Sequence, residues 1–140
     1  MTDLARDGVT LAKTTIHNPG DPRHFMALKP IERLVIVLLG QAPLVETRRA
    51  VRLIEVGRDV YHPAVYVPID DVHASLVEND RTSHCPLKGD AIYFDLMGAD
   101  GAIHTKDIAW AYPEPLDIAP ELAGMLSFYT DKLTIVEAPL

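Results

Sequence analysis

Apolar residues arrive along this chain in short runs broken by Gly, Pro, Asp and Asn, the pattern of an all-β barrel or sandwich rather than of packed helices. Arg33 to Leu39 is almost continuously apolar, as in a strand covered on both faces, and Gly40-Gln41 supplies a tight turn before Leu44 and Val45. Strand side chains alternate, so Val51 and Leu53 share a face with Arg49 and Glu55, which sets Glu55 at the end of an apolar face. Val65 and Val67 oppose Tyr66, and in Asp71 to Leu76 the residues Val72, Ala74 and Leu76 alternate with polar ones as in a half-buried strand. Ala91 to Leu96 puts Ile92, Phe94 and Leu96 opposite Tyr93 and Asp95, and Gly98 to Gly101 makes a hairpin turn. The returning strand carries Ile108, Trp110 and Tyr112 on one face and ends where Pro113 and Pro115 remove ladder donors.

One period differs. Ile118, Leu122, Met125 and Tyr129 recur at spacings of 4, 3 and 4 behind Asp117, which predicts a short C-terminal helix with Pro120 in its first turn. Leu133 to Val136, rich in β-branched residues, predicts a last strand. Met1 to Pro30 shows no sustained period and holds two X-Pro steps, so it reads as a partly ordered extension, anchored at most by Thr10, Leu11 and Ile16. The expected organisation is therefore an N-terminal extension over 1–30 and one mainly β domain over 31–140.

Composition narrows the function classes. At 140 residues, 48% apolar and 24% charged, the chain is long enough for one core without disulfides or structural metal. The apolar run Leu34 to Leu39 is too short to cross a bilayer, and no membrane partner is expected. The first thirty residues carry no secretory pattern, and the single cysteine, Cys85, fits a reducing compartment, so a cytoplasmic location is expected. A formal net charge of −7 opposes phosphate backbones, which makes nucleic acid a poor partner.

Several ordered motifs carry a resemblance. Glu46-Thr47 with Glu55, Tyr66-Val67-Pro68 with Asp71-Val72, Thr82 with Cys85-Pro86-Leu87-Lys88-Gly89, Ala109-Trp110-Ala111-Tyr112-Pro113, and Phe128-Tyr129 together resemble the domain of unknown function 427 family. The resemblance spans about Arg33 to Leu133 and implies a compact, strongly bent antiparallel sheet, barrel-like or β-tent-like. Leu87 stands where an aromatic is usual, and Val45-Glu46-Thr47 replaces the more typical Ala-Asp-Ser or Ala-Asp-Thr; if the missing aromatic lines a pocket, ligand preference shifts with it. The family also carries a nucleotidyltransferase label. The Gly-Ser step and spaced Asp residues of that chemistry are absent, and Lys88-Gly89 reverses the Gly-Lys order of a P-loop.

The candidate chemistry gathers on a few residues. In His84-Cys85-Pro86-Leu87-Lys88-Gly89 a nearby cation would favour the thiolate of Cys85; the plainer alternative is a small buried side chain in a turn. Glu55, Asp71 and Lys88 would form a polar cluster at one end of the sheet, or else separate strand-end contacts. Tyr66, Tyr93, Trp110 and Tyr112 would line a pocket with polar tips or simply fill the core. Zinc hooks of the β-tent type need paired cysteines; with one Cys, and with His73, His84 and His104 at no ligand spacing, no metal or cofactor is expected. The leading reading is a small-molecule-binding domain, with catalysis left open, that draws on Glu55, Tyr66, Asp71, Cys85, Lys88 and Trp110. The alternative is a non-catalytic interaction or structural module with an apolar surface, such as a homodimer.

Overall fold

The computed structural model describes residues 10–140, and the part of the extension before Thr10 lies outside them. The strands are β1 (Ile16–Asn18), β2 (Asp21–Pro30), β3 (Leu34–Leu39), β4 (Ala42–Thr47), β5 (Val51–Val56), β6 (Ala64–Pro68), β7 (Leu76–Cys85), β8 (Gly89–Met97), β9 (Ile103–Ala111), β10 (Met125–Phe128) and β11 (Thr134–Ala138). Eight form one sheet in the order β1-β2-β5-β6-β10-β9-β8-β7, and three form a second in the order β11-β3-β4. The strand pairs are antiparallel. The fold is mainly β, as the alternation predicts. Neither sheet closes or curls strongly, so the bent barrel or tent is replaced by two open sheets.

The sheets pack through an aliphatic core. Val35, Val37 and Val45 of the small sheet meet Val67, Ile108, Ala109, Leu126 and Phe128 of the large one. The opposite face of the large sheet carries a second cluster, built from Met26, Leu53, Tyr66, Leu87, Tyr93 and Tyr112 and closed over by Ala119 and Leu122. One sheet thus separates two cores, because each strand sends alternate residues to opposite sides. Val67 and Tyr66 are the clearest such pair, as the sequence pattern predicts.

Four expectations change. No C-terminal helix forms. Pro120–Leu122 make a single 3-10 turn, Gly124 sits at φ 71, and Met125–Phe128 enter the large sheet between β6 and β9. The 4-3-4 spacing belongs to a turn followed by a strand, and pairing on both edges outweighs local helix propensity. Asp71 to Leu76 is likewise not a strand before Leu76: Ile69–Asp71 form a 3-10 turn, and Val72 makes only an isolated bridge to Val45. Val72, Ala74 and Leu76 still pack on the inter-sheet core, so the alternation reports burial without pairing.

Ile108 and Trp110 do not share a face. Phe94 pairs with Ala109 while Leu96 pairs with Thr105, so β9 carries extra residues around Asp107, which sits at φ 50. The bulge turns Ile108 into the inter-sheet core and leaves Trp110 on the other side. Finally, residues read as extension enter the sheet: β2 pairs with β5 from Phe25↔Val56 to Pro30↔Val51, and Met26 is 1% exposed. No helix among the described residues is long and apolar enough to cross a membrane.

Candidate functional site

The second face holds the polar chemistry. Register places Tyr66 of β6 opposite Ser127 of β10, Ser127 opposite Trp110 of β9, and Trp110 opposite Tyr93 of β8. Directly opposed residues share a face, so these four form one row across the sheet. Ser127 is the small member. It leaves room for Trp110 Nε1–H to reach Tyr66 Oη at 2.9 Å, with the rings edge-on at 87°. Tyr129 extends the row, its ring 4.6 Å from that of Trp110. At the far end Tyr93 Oη lies 2.7 Å from Ser83 Oγ, and the Arg81 guanidinium covers its ring at 4.2 Å.

Beside the aromatic row runs an ionic chain. Glu55 and Met26 are cross-strand partners, so Glu55 and His24, two residues before Met26, project to the same face. Lys88 donates to Glu55 Oε1, and His24 Nε2 donates to Glu55 Oε2 at 2.7 Å. Asn18 Oδ1 accepts from Gly20 N–H at 2.8 Å, which turns its Nδ2 toward His24 Nδ1 at 3.1 Å. With Nδ1 accepting, the Nε2–H tautomer faces Glu55. Burial alone would raise the Glu55 pKa, but the hydrogen bond and charge of Lys88, with His24, hold it below the usual carboxylate value. The Lys88 side chain is only 8% exposed.

Local backbone geometry explains why Lys88 is held there. Its N–H donates to Cys85 O at 3.2 Å and its carbonyl accepts from Leu116 N–H at 2.9 Å, so the turn is fixed from both sides. Gly89 adopts φ 113, and a Cβ there would lie 3.3 Å from Glu114 O. The positive φ favours glycine, and the nearby carbonyl leaves little room for a side chain.

Between row and chain lies a cavity of about 210 Å³, lined by Glu55, Tyr66, Lys88, Tyr93, Trp110 and Tyr112 among others. The Lys88 ammonium sits 5.8 Å from the centre of the Tyr112 ring. Burial pushes the Tyr66 and Tyr112 hydroxyls well above the ordinary phenol value, so both stay protonated donors.

A model of the family described as domain of unknown function, DUF427, matches residues 27–138. The chain belongs to the DUF427 family. No curated protein matches it. Within the DUF427 domain, the structure brings Glu55, Tyr66, Lys88 and Trp110 to one cavity. Asp71 goes elsewhere: it accepts from Thr47 Oγ1 at 2.7 Å and Arg49 Nη2 at 3.3 Å in a separate groove, so the proposed Glu55–Asp71–Lys88 cluster does not form. Cys85 packs against the second core, yet neither neighbouring cation serves it. Lys88 bonds to Glu55, and His84 turns outward to Asp90 at 2.8 Å with its side chain 63% exposed. Leu87 is fully buried beneath the site rather than lining the cavity.

Sequence reasoning missed His24 because it lay in the segment read as extension. The apolar alternation of Met26 and Leu28 before Pro30 is the signal that would have found it. Tyr61 and His62 also line the cavity. They follow the compact turn in which Tyr61 N–H returns to Glu55 O at 3.1 Å, and no periodic pattern marks that turn.

Proposed function

We propose that this DUF427 domain binds a small molecule in the cavity between the aromatic row and the Lys88–Glu55–His24 chain. The carrying observation is the hydrogen bonding of Lys88. An ammonium has three donors, and among the described residues Lys88 finds one side-chain acceptor, Glu55. Lys88 lines a cavity faced with aromatic rings, where a carbonyl, hydroxyl or anionic oxygen of a ligand would take a further hydrogen bond. A buried ion pair contributes little to folding compared with apolar residues of the same volume, so stability alone gives weak reason for placing one beside a cavity.

The Tyr112 hydroxyl supports the same reading. It lines the cavity, stays protonated, and makes no hydrogen bond among the described residues. The ligand head is therefore a single ring or comparably small group bearing an acceptor oxygen, since the volume lies below the roughly 300 Å³ at which drug-sized pockets begin.

A thermal-shift screen with single-ring carbonyl and hydroxyl compounds tests this, using Ala64→Phe as a steric block because Ala64 lines the cavity without joining the ionic chain. Stabilisation of the wild type that disappears in a folded Ala64→Phe protein is the expected result. Lack of any stabilising compound, together with concentration-dependent self-association in sedimentation, would favour a non-catalytic interaction module instead.

A further inference from the structure

We infer that the β1–β2 hairpin and the turn after β5 extend the cavity into a two-part site for a ring compound that carries an acidic group. The inference rests on the small-molecule reading above and adds the class of ligand. Outside the cavity lies an open groove of about 830 Å³, bordered by Arg23, His24, Gly57, Arg58 and Tyr61. Tyr61 lines both spaces, and His24 links them through its bond to Glu55. Gly57 sits tightly at the junction: a Cβ there would lie 3.2 Å from both His24 Cδ2 and Tyr61 Cε2.

The charge of the groove differs from that of the chain. The chain carries a formal net charge of −7, yet the groove sets two guanidiniums, Arg23 and Arg58, against one carboxylate, Asp21. Asp21 only partly occupies one of them: its contact with Arg23 Nε is 3.5 Å and lies in solvent. Arg58 pairs with no carboxylate among the described residues. A guanidinium fork suits a carboxylate or phosphate, and unneutralised forks at the rim of a ligand space select for that group.

Size gives the second half of the argument. A cavity of about 210 Å³ accepts one ring, and a further part of the ligand that passes Tyr61, the residue shared by both spaces, reaches the groove where the two arginines are. Arg23 and His24 precede the family-matched stretch, which begins at residue 27. The groove thus joins Arg23 and His24, from a part of the chain that the family match does not cover, to Gly57, Arg58 and Tyr61, which lie within it.

Isothermal titration of the full chain with matched pairs tests the proposal: single-ring carboxylates such as 4-hydroxyphenylacetate against their neutral amides, with phenyl phosphate as a second acid. The acid of a pair should bind about tenfold tighter than its amide at low salt, and the difference should shrink at high salt. Arg23→Gln with Arg58→Gln should bring the acid down to the affinity of the amide, and tighter binding of phenyl phosphate than of the carboxylates would identify the acidic group as a phosphate. Equal binding of acid and amide by the wild type, or a preference that survives the double variant, overturns this inference while leaving the cavity reading intact. Failure of every pair to bind overturns both.

Discussion

The two faces of the large sheet are made by the same strands yet differ in kind. Toward the small sheet the face is aliphatic, with Val67, Ile108, Leu126 and Phe128 packed against Val35, Val37 and Val45. Away from it the face is aromatic and ionic, with Tyr66, Trp110 and Tyr93 beside Lys88, Glu55 and His24. The first face is what hydrophobic burial requires of a sheet. The second buries charge and leaves a cavity, and neither lowers the free energy of folding as well as packed apolar groups would. The difference separates residues that hold the fold from residues that the fold holds.

The sharpest way to break the comparison is to cut the ionic chain. Lys88→Met leaves Glu55 with only His24 and should destabilise by roughly 3–5 kcal/mol, the range for one partner of a buried pair. Adding Glu55→Leu should recover much of the loss, because an apolar pair needs no desolvated partner. Urea denaturation measures both. A Lys88→Met protein as stable as wild type would mean that the pair is effectively solvated.

On the aliphatic face Ile108→Ala should cost roughly 2–5 kcal/mol by leaving a cavity, since Ile108 is fully buried. Unlike the ionic variants it should leave ligand affinity intact in the folded fraction. Paired denaturation and titration experiments separate the two effects, and a large affinity change would show that the faces are not independent.

How far the sequence foretells this division depends on the element. The alternation along Val65-Tyr66-Val67 and Ala91–Leu96 is legible because each strand is long enough to show its period between turn residues. Glu55, Tyr66, Lys88 and Trp110 could be nominated from motif residues, but their meeting could not, since it depends on strand order: β6 and β9 are joined only through β10. That strand was hidden as a helix, because Leu122, Met125 and Tyr129 fall on a helical spacing and the break at Gly124 is one residue wide. His24 was hidden for another reason. Two prolines before it suggested a loop, whereas Pro22 sits near the start of β2, where a missing donor is tolerated.

A smaller effect sharpens the aromatic side. Tyr66→Phe removes the acceptor of Trp110 Nε1–H and should destabilise by roughly 1–2 kcal/mol, less than a cavity variant because the ring itself still packs. The indole environment should change with it, so tryptophan emission is a local readout; the chain has one tryptophan. An unshifted spectrum with unchanged stability would show that the hydrogen bond contributes nothing in solution.

The smallest expected effect belongs to Asp71, which lies outside both cores. Thr47 Oγ1–H and, after the modest opposing effect of burial, Arg49 hold its pKa below the ordinary 3.8. A carboxylate with a depressed folded pKa stabilises above its unfolded value and loses that contribution as pH falls through the folded one. The same sign applies to Glu55, but there the loss begins from an ordinary value of 4.5. Acid melting curves should show that loss for both: Glu55→Gln flattens the limb below about pH 4.5 and Asp71→Asn below about pH 3.8. Because Arg49 is 65% exposed, solvent screens the pair, and Asp71→Asn should cost less than about 1 kcal/mol at neutral pH. It should also leave ligand binding unchanged, since Asp71 lines a different groove. A loss of binding in Asp71→Asn without loss of stability would return that carboxylate to the site and contradict the separation of the two regions.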